Sequence, residues 1–284
     1  MNFSSKAISV TRNIFRQITP PILFKILPHF KKSLGTDTNT YEGVFDSFET
    51  VIKSYGNQPQ YSTELARTQS LQNLRMLISL YDSKTDFTPG WSSVRFNFIS
   101  SFVSSLEFNV IGILDIGGGY GETYLHLKQT TKKKFQYRVF ELPFTINQSK
   151  PEFLEFKEIK FCDSIDDVDI VPHVVYFGSS LQYFNDYKKI LSQAMSYQPH
   201  FIVISDTPMG NIDTFACAQV NMPGIIIPRW VFSRNEINLI LKSGGYELVH
   251  DSSNYFPFHN FNNYPLNYHN IEHKNIIFMR RKQG

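Results

Sequence analysis

Cysteine is nearly absent: Cys162 and Cys217 are the two in 284 residues. Two distant thiols cannot build a disulfide framework and match no close metal-ligand spacing. Free thiols in a reducing compartment, and so a cytoplasmic location without a bound metal, are the expectation. Long apolar runs are missing too. No stretch approaches the roughly 20 residues that cross a bilayer. Phe3 to Ile18 alternates apolar and polar residues where a signal peptide needs a continuous apolar stretch. The net charge is only +3, too little for a basic nucleic-acid-binding body.

That charge is unevenly placed. Residues 1–36 hold Lys6, Arg12, Arg16, Lys25, Lys31 and Lys32 and no acid, so the remainder sums to −3. Ala7, Val10, Ile14 and Ile18 share one helical face, and Pro20-Pro21 separates it from a second apolar stretch, Ile22 to Phe30. This basic amphipathic extension reads either as a peripheral membrane or partner contact through residues 1–32, or as a helix packed on its own domain. Ser33 to Thr40 reads as a linker.

Helical patterns follow over Ser47 to Tyr55, Ser62 to Tyr81 and Trp91 to Leu106. They make 37–108 a helical cover. From Val110 strands and helices alternate, which implies an α/β domain over 109–284 with a mostly parallel sheet. Strands are expected over Val110–Ile116, Tyr137–Phe140, Ile159–Cys162, Val174–Phe177 and Phe201–Ile204, and late ones over Tyr246–Val249 and Ile276–Met279. Thr207 to Pro228 reads as a long connection containing Gln219 and Arg229, which either caps a pocket and binds an acceptor or is plain surface loop. Residues 253–272 read as a surface insertion. Ser233-Arg234-Asn235-Glu236 is a capping-box sequence.

Chemistry concentrates in Ile113-Leu114-Asp115-Ile116-Gly117-Gly118-Gly119-Tyr120-Gly121, where a buried strand runs straight into a glycine loop and a helix start. Glycines permit positive φ and close backbone approach, and the helix start offers free N–H groups. A dinucleotide fingerprint would place its third glycine where Glu122 stands, beside the pyrophosphate. Asp115 instead suits a ligand that is cationic there. Glu141 ends the next strand roughly 20 residues on, where a carboxylate accepts from both hydroxyls of a ribose.

This arrangement resembles class I S-adenosylmethionine-dependent methyltransferases. Tyr41-Glu42-Gly43-Val44-Phe45-Asp46-Ser47-Phe48, Gly178-Ser179-Ser180-Leu181-Gln182-Tyr183-Phe184, Asp206-Thr207-Pro208 and Gln219-Val220 look more narrowly like a bacterial family of unproven methyltransferases linked to cell-surface polysaccharide synthesis. The resemblance implies a Rossmann-like sheet with a late antiparallel strand, and S-adenosylmethionine as cofactor. It implies that Asp115, Gly117, Gly118, Gly119, Tyr120 and Gly121 hold the methionine portion, Glu141 the ribose and Asp163 the adenine amino group. Ser179 and Leu181 would line the methyl-donor pocket. The family's commoner Arg after the fifth strand stands here as Asp206.

Methyl transfer is an in-line displacement in which positioning supplies much of the rate, and a base is needed only where the acceptor keeps its proton. Asp206, expected at the carboxyl end of the fifth strand, is the candidate base. Tyr120 and Tyr183 are candidates for cation–π contact with a sulfonium, or core aromatics. His173 and His200 sit at the wrong strand ends and read as structural. The expected acceptor is a glycan, nucleotide-sugar or other small molecule; a non-catalytic scaffold and a nicotinamide oxidoreductase are the alternatives. For the extension, full-length protein should co-sediment weakly with anionic vesicles, less so in salt, and a truncated chain beginning at Thr36 should not. Equal sedimentation of the two removes the membrane reading.

Overall fold

The computed structural model describes residues 41–55, 64–82, 90–222, 225–254 and 264–281. The basic extension and its expected membrane contact lie outside the described residues, as do residues 255–263 of the expected insertion. The described chain opens with β1 (Tyr41–Phe45), α1 (Phe48–Tyr55), α2 (Glu64–Asp82) and α3 (Gly90–Ser105). Among the described residues, no helix is long and apolar enough to cross a membrane.

The central sheet is then laid down by alternation. β2 (Val110–Ile116) precedes α4 (Glu122–Thr130), β3 (Lys134–Phe140) precedes α5 (Pro143–Ser149), and β4 (Ile159–Cys162) and β5 (Val174–Gly178) follow. α6 (Tyr187–Ser196) leads into β6 (Phe201–Gly210). From Ile111 onward every β2 residue is buried, so the strand reads as a continuous apolar run and not as an alternating one. Side by side the order is β4, β3, β2, β5, β6, the strands all parallel. The order reverses between β2 and β5, and an open α/β sheet leaves a crevice at the carboxyl ends there.

Two hairpins complete the architecture. β7 (Phe215–Met222) and β8 (Ile225–Ser233) pair antiparallel, and β1 joins the outer edge of β7 with Tyr41 opposite Gln219. After α7 (Arg234–Ser243), β9 (Tyr246–Asn254) and β10 (Glu272–Arg280) pair antiparallel, and β10 docks antiparallel on β6. β6 overruns the parallel core, so that Met209 and Gly210 pair with Phe232 and Ser233 of β8. The expected α/β class, Rossmann-like sheet and late antiparallel strand are all present.

Two expectations are corrected. Thr207 to Pro228 is the end of β6, all of β7 and the start of β8, not a loop. Ala216, Cys217 and Ala218 are fully buried, so no polar face exists to produce the alternation that marks a strand. Residues 41–45, inside the expected helical cover, form a strand whose pattern is broken by Gly43. The capping box is only half made. Ser233 Oγ accepts from Glu236 N–H at 3.4 Å, whereas the Glu236 carboxylate accepts from Tyr187 and Thr214.

One apolar cluster lies between the sheet and α2, α3 and α4, through Leu74, Ile99, Val103, Tyr124 and Ile113. Another holds α1, α6 and α7 through Val51, Leu191, Leu241, Ile204 and Trp230. Trp230 joins several parts at once. Its ring stacks on Phe48 at 5.0 Å and meets Tyr187 edge-on at 5.5 Å, and its Nε1–H donates to the Phe184 and Asn185 carbonyls. Trp230→Ala should therefore cost about 3–5 kcal/mol in urea unfolding. A loss below about 1 kcal/mol would contradict the docking of β8 on α1 and α6.

Candidate functional site

The site is built where β2 ends. Asp115, 1 % exposed, accepts from the Tyr137 hydroxyl at 2.6 Å within the sheet. Burial, then this neighbouring carboxylate, holds the Tyr137 hydroxyl far above its ordinary pKa. The Asp115 carboxylate sits directly beneath the loop: a Cβ on Gly118 would lie 2.6 Å from Asp115 Cγ. Only glycine lets the backbone come that close. Gly119 has φ +59 and open space where a Cβ would project. Absence of a side chain there leaves room over a positive-φ backbone.

Glu141, one residue past the end of β3, is fastened to this loop. Its Oε2 accepts from Gly119 N–H at 3.0 Å and its Oε1 from Leu142 N–H at 2.8 Å. Gly117 N–H donates to the Phe140 carbonyl at 2.8 Å, so the ends of β2 and β3 are joined twice. Burial raises the Glu141 carboxyl pKa, and the two backbone bonds partly offset this. Gly121 forms the N-cap of α4 with φ +85 and offers no side-chain cap. The N–H groups of the first turn therefore face the loop.

The remaining expected cofactor residues divide. Ser179, φ +57, follows β5, and its N–H donates to the Ser205 carbonyl. The adjacent Ser180 hydroxyl donates to the Ile116 carbonyl, which ties the post-β5 turn to the glycine loop. Leu181 is fully buried in the apolar core, leaving its backbone for any ligand. Tyr120 donates its hydroxyl to Gln148 at 2.9 Å and Tyr183 to Gln219 at 2.8 Å. Asp163 is exposed just beyond β4.

Asp206 differs most from its expectation. It is not at a strand end but in a bulge of β6, where the pairing with β10 shifts between Lys274 and Ile276. Its φ is +50, a strained conformation for a non-glycine residue. The bulge is stapled by Asn275, whose Oδ1 accepts from Asp206 N–H at 3.0 Å. The Asp206 carboxylate accepts from His273 Nδ1–H at 2.9 Å, and both residues are buried, 8 % and 3 % exposed. This partner is 67 residues away in sequence, so local pattern could not reveal it. Burial lowers the His273 pKa and the Asp206 bond only partly restores it. The imidazole is therefore neutral near pH 7.

His173 and His200 stack on each other and on Phe108 at the amino-terminal strand ends, remote from the glycine loop, as expected of structural residues. A cavity of about 1010 Å³ between Met195, His200, Gly245 and Arg280 opens at that same end. It lies away from the crevice and from every acid named above. Among the described residues no cluster of metal-ligating side chains occurs, and both cysteines are free thiols.

No protein-family model and no curated protein sequence matches the chain. Solved structures do. The magnesium protoporphyrin IX methyltransferase of Synechocystis PCC 6803 with bound SAM is 12 % identical, with a TM-score of 0.51 over 82 % of this chain and 97 % of that one. The same enzyme with bound SAH gives 11 %, 0.50, 82 % and 99 %. The 1,6-didemethyltoxoflavin-N1-methyltransferase of Burkholderia thailandensis is 14 % identical, with a TM-score of 0.47 over 79 % of this chain and 94 % of that one. Together with the strand order β4-β3-β2-β5-β6-β10-β9 and the antiparallel β10, the likeness to the Synechocystis enzyme makes the fold the Rossmann-like fold of class I methyltransferases.

Proposed function

We propose that the chain binds S-adenosylmethionine and transfers its methyl group to a small-molecule or glycan acceptor. The observation that carries the reading is the junction of Glu141 with Gly119 above the buried Asp115. Such a junction places a buried carboxylate and an open, side-chain-free backbone at one strand end. The donor set suits the group: a carboxylate for ribose hydroxyls, and free N–H groups at the start of α4 for the methionine carboxylate. When bound, the cofactor supplies an electrophilic methyl group on a sulfonium.

The chain's own residues then have separate tasks. Asp115 supports the glycine loop from beneath and makes that end of the crevice negative, which favours an ammonium. Glu141 keeps its bond from Gly119 and accepts from the ribose hydroxyls through its remaining lone pairs. Asp163, exposed at the end of β4, is the acid available to an adenine amino group. Asp206 passes from base to orienting group. It holds the Nδ1 proton of His273, and His273 Nε2 takes the proton of an acceptor hydroxyl or amine. The sequence resemblance extends the reading to acceptors in surface-polysaccharide synthesis, and the fold alone supports only the broader class of small-molecule acceptors.

Calorimetry with S-adenosylhomocysteine tests this. Wild-type protein should bind, and Glu141→Ala should weaken binding about 10- to 100-fold. Folded protein that does not bind overturns the proposal, and NADH binding in its place would favour an oxidoreductase. The pH dependence has a definite sign. The raised Glu141 pKa means protonation at a higher pH than an ordinary glutamate. Affinity should therefore fall as pH drops through mild acid, and Glu141→Gln should remove that dependence.

For the proton step, the lowered His273 pKa keeps the base neutral below pH 6.5. The acid limb of kcat should accordingly lie below that pH. His273→Ala should reduce kcat about 10²- to 10⁴-fold while S-adenosylhomocysteine affinity stays unchanged. An unchanged kcat assigns the Asp206–His273 pair to structure alone.

A further inference from the structure

Arg229 is a buried cation that no carboxylate among the described residues pairs with. It stands on β8 opposite Cys217 and is 2 % exposed. Among the described residues no ion pair includes it. The ionisable groups that weigh most on it are Tyr41, Tyr183 and Cys217. An arginine remains protonated in a protein, and a desolvated charge is costly unless something compensates it.

Tyr41, Tyr183 and Gln219 engage the guanidinium, Tyr41 through a side-chain hydrogen bond as well. The guanidinium carbon lies 4.4 Å from the centre of the Tyr41 ring and 5.9 Å from that of Tyr183. Nη1 reaches Gln219 Oε1 at 3.5 Å, an oxygen that also accepts from the Tyr183 hydroxyl. Nε and Nη2, by contrast, are sealed from solvent with no hydrogen-bond partner. Those two nitrogens form the edge that presents parallel N–H groups to a carboxylate or phosphate. Stacking on Tyr41 fixes the plane of that edge in advance.

The position is that of an acceptor. Tyr183 ends the turn after β5 that Ser180 fastens to the glycine-loop strand, and the Arg229 charge reaches His273. Tyr183 and Gln219 are half-exposed, so they form the rim, and Arg229 and Tyr41 form the floor and wall. We propose that Arg229 binds an anionic group of the acceptor, a carboxylate or a phosphate, through its guanidinium once the Tyr183–Gln219 rim swings aside. This rests on the methyl-transfer reading only in calling the ligand an acceptor. The anion site stands on the geometry of Arg229.

Ligand-observed NMR on the full chain tests it, with glucuronate and benzoate as carboxylate probes and glucose 1-phosphate as the phosphate probe. Glucose and benzyl alcohol serve as neutral counterparts. At least one anion should bind wild type at least about tenfold more tightly than its counterpart, and the arm that binds identifies the group. Arg229→Lys keeps the charge but loses the fork, so it should weaken that anion about tenfold. Arg229→Met should abolish the preference where it folds. S-adenosylhomocysteine binding should be unchanged in both variants. Anion binding without S-adenosylhomocysteine binding in wild type would sink the methyl-transfer reading and leave the anion site. No anion preference in wild type, or equal anion binding by wild type and Arg229→Lys, overturns the anion site.

Discussion

The carboxyl ends of β2 and β3 are held together by the bond from Gly119 N–H to Glu141 and by that from Gly117 N–H to the Phe140 carbonyl. Everything at the candidate site depends on this junction. It fixes the glycine loop over Asp115, and the Ser180 hydroxyl brings the post-β5 turn against the same strand end. Three segments that are distant in sequence thus share one crevice at the point where the strand order reverses. The backbone donors released there are supplied by the start of α4, with a glycine as cap. A polar ligand entering the crevice meets groups that are already ordered, so little entropy is lost in arranging them.

A second region grows from the overrun of β6. Had the strand stopped level with β5, it would have ended at Ser205, opposite Gly178. Instead the bulge at Asp206 turns a carboxylate toward β10 and lets the strand continue to β8. That places His273 from β10, Thr207 from β6, Gln219 from β7 and Arg229 from β8 around the end of the overrun strand, the region proposed for the acceptor. Gln182 of the post-β5 turn accepts weakly from the Thr207 hydroxyl. The strain at Asp206 is repaid by Asn275 and His273, two partners contributed by one neighbouring strand.

Sequence made the parallel core legible because each of its signals is local. The apolar run at 110–116, the glycine loop and the acid at the end of β3 lie within about 30 residues, a single βαβ unit. Strands β2, β4 and β5 appear at or within one residue of their expected limits. The acceptor side was opaque for equally physical reasons. β7 is buried on both faces through small residues, so it has no period. His273 meets Asp206 only through long-range antiparallel pairing. Asp206 was found but expected at a strand end, since no local feature announces the bulge that brings it against His273. Gln219 and Arg229 were singled out as acceptor contacts, yet on a loop. Their pairing with Tyr41 needed β1, whose five residues, interrupted by Gly43, carry almost no strand signal.

Amide hydrogen exchange with and without S-adenosylhomocysteine probes the central junction directly. The account predicts that ligand slows exchange at Gly117 to Glu122 and around Glu141 and Leu142. The amino-terminal strand ends near His173 and His200 should be unaffected. Protection confined to the cavity beside Met195 and Gly245, or absent from the glycine loop at saturating ligand, would contradict it.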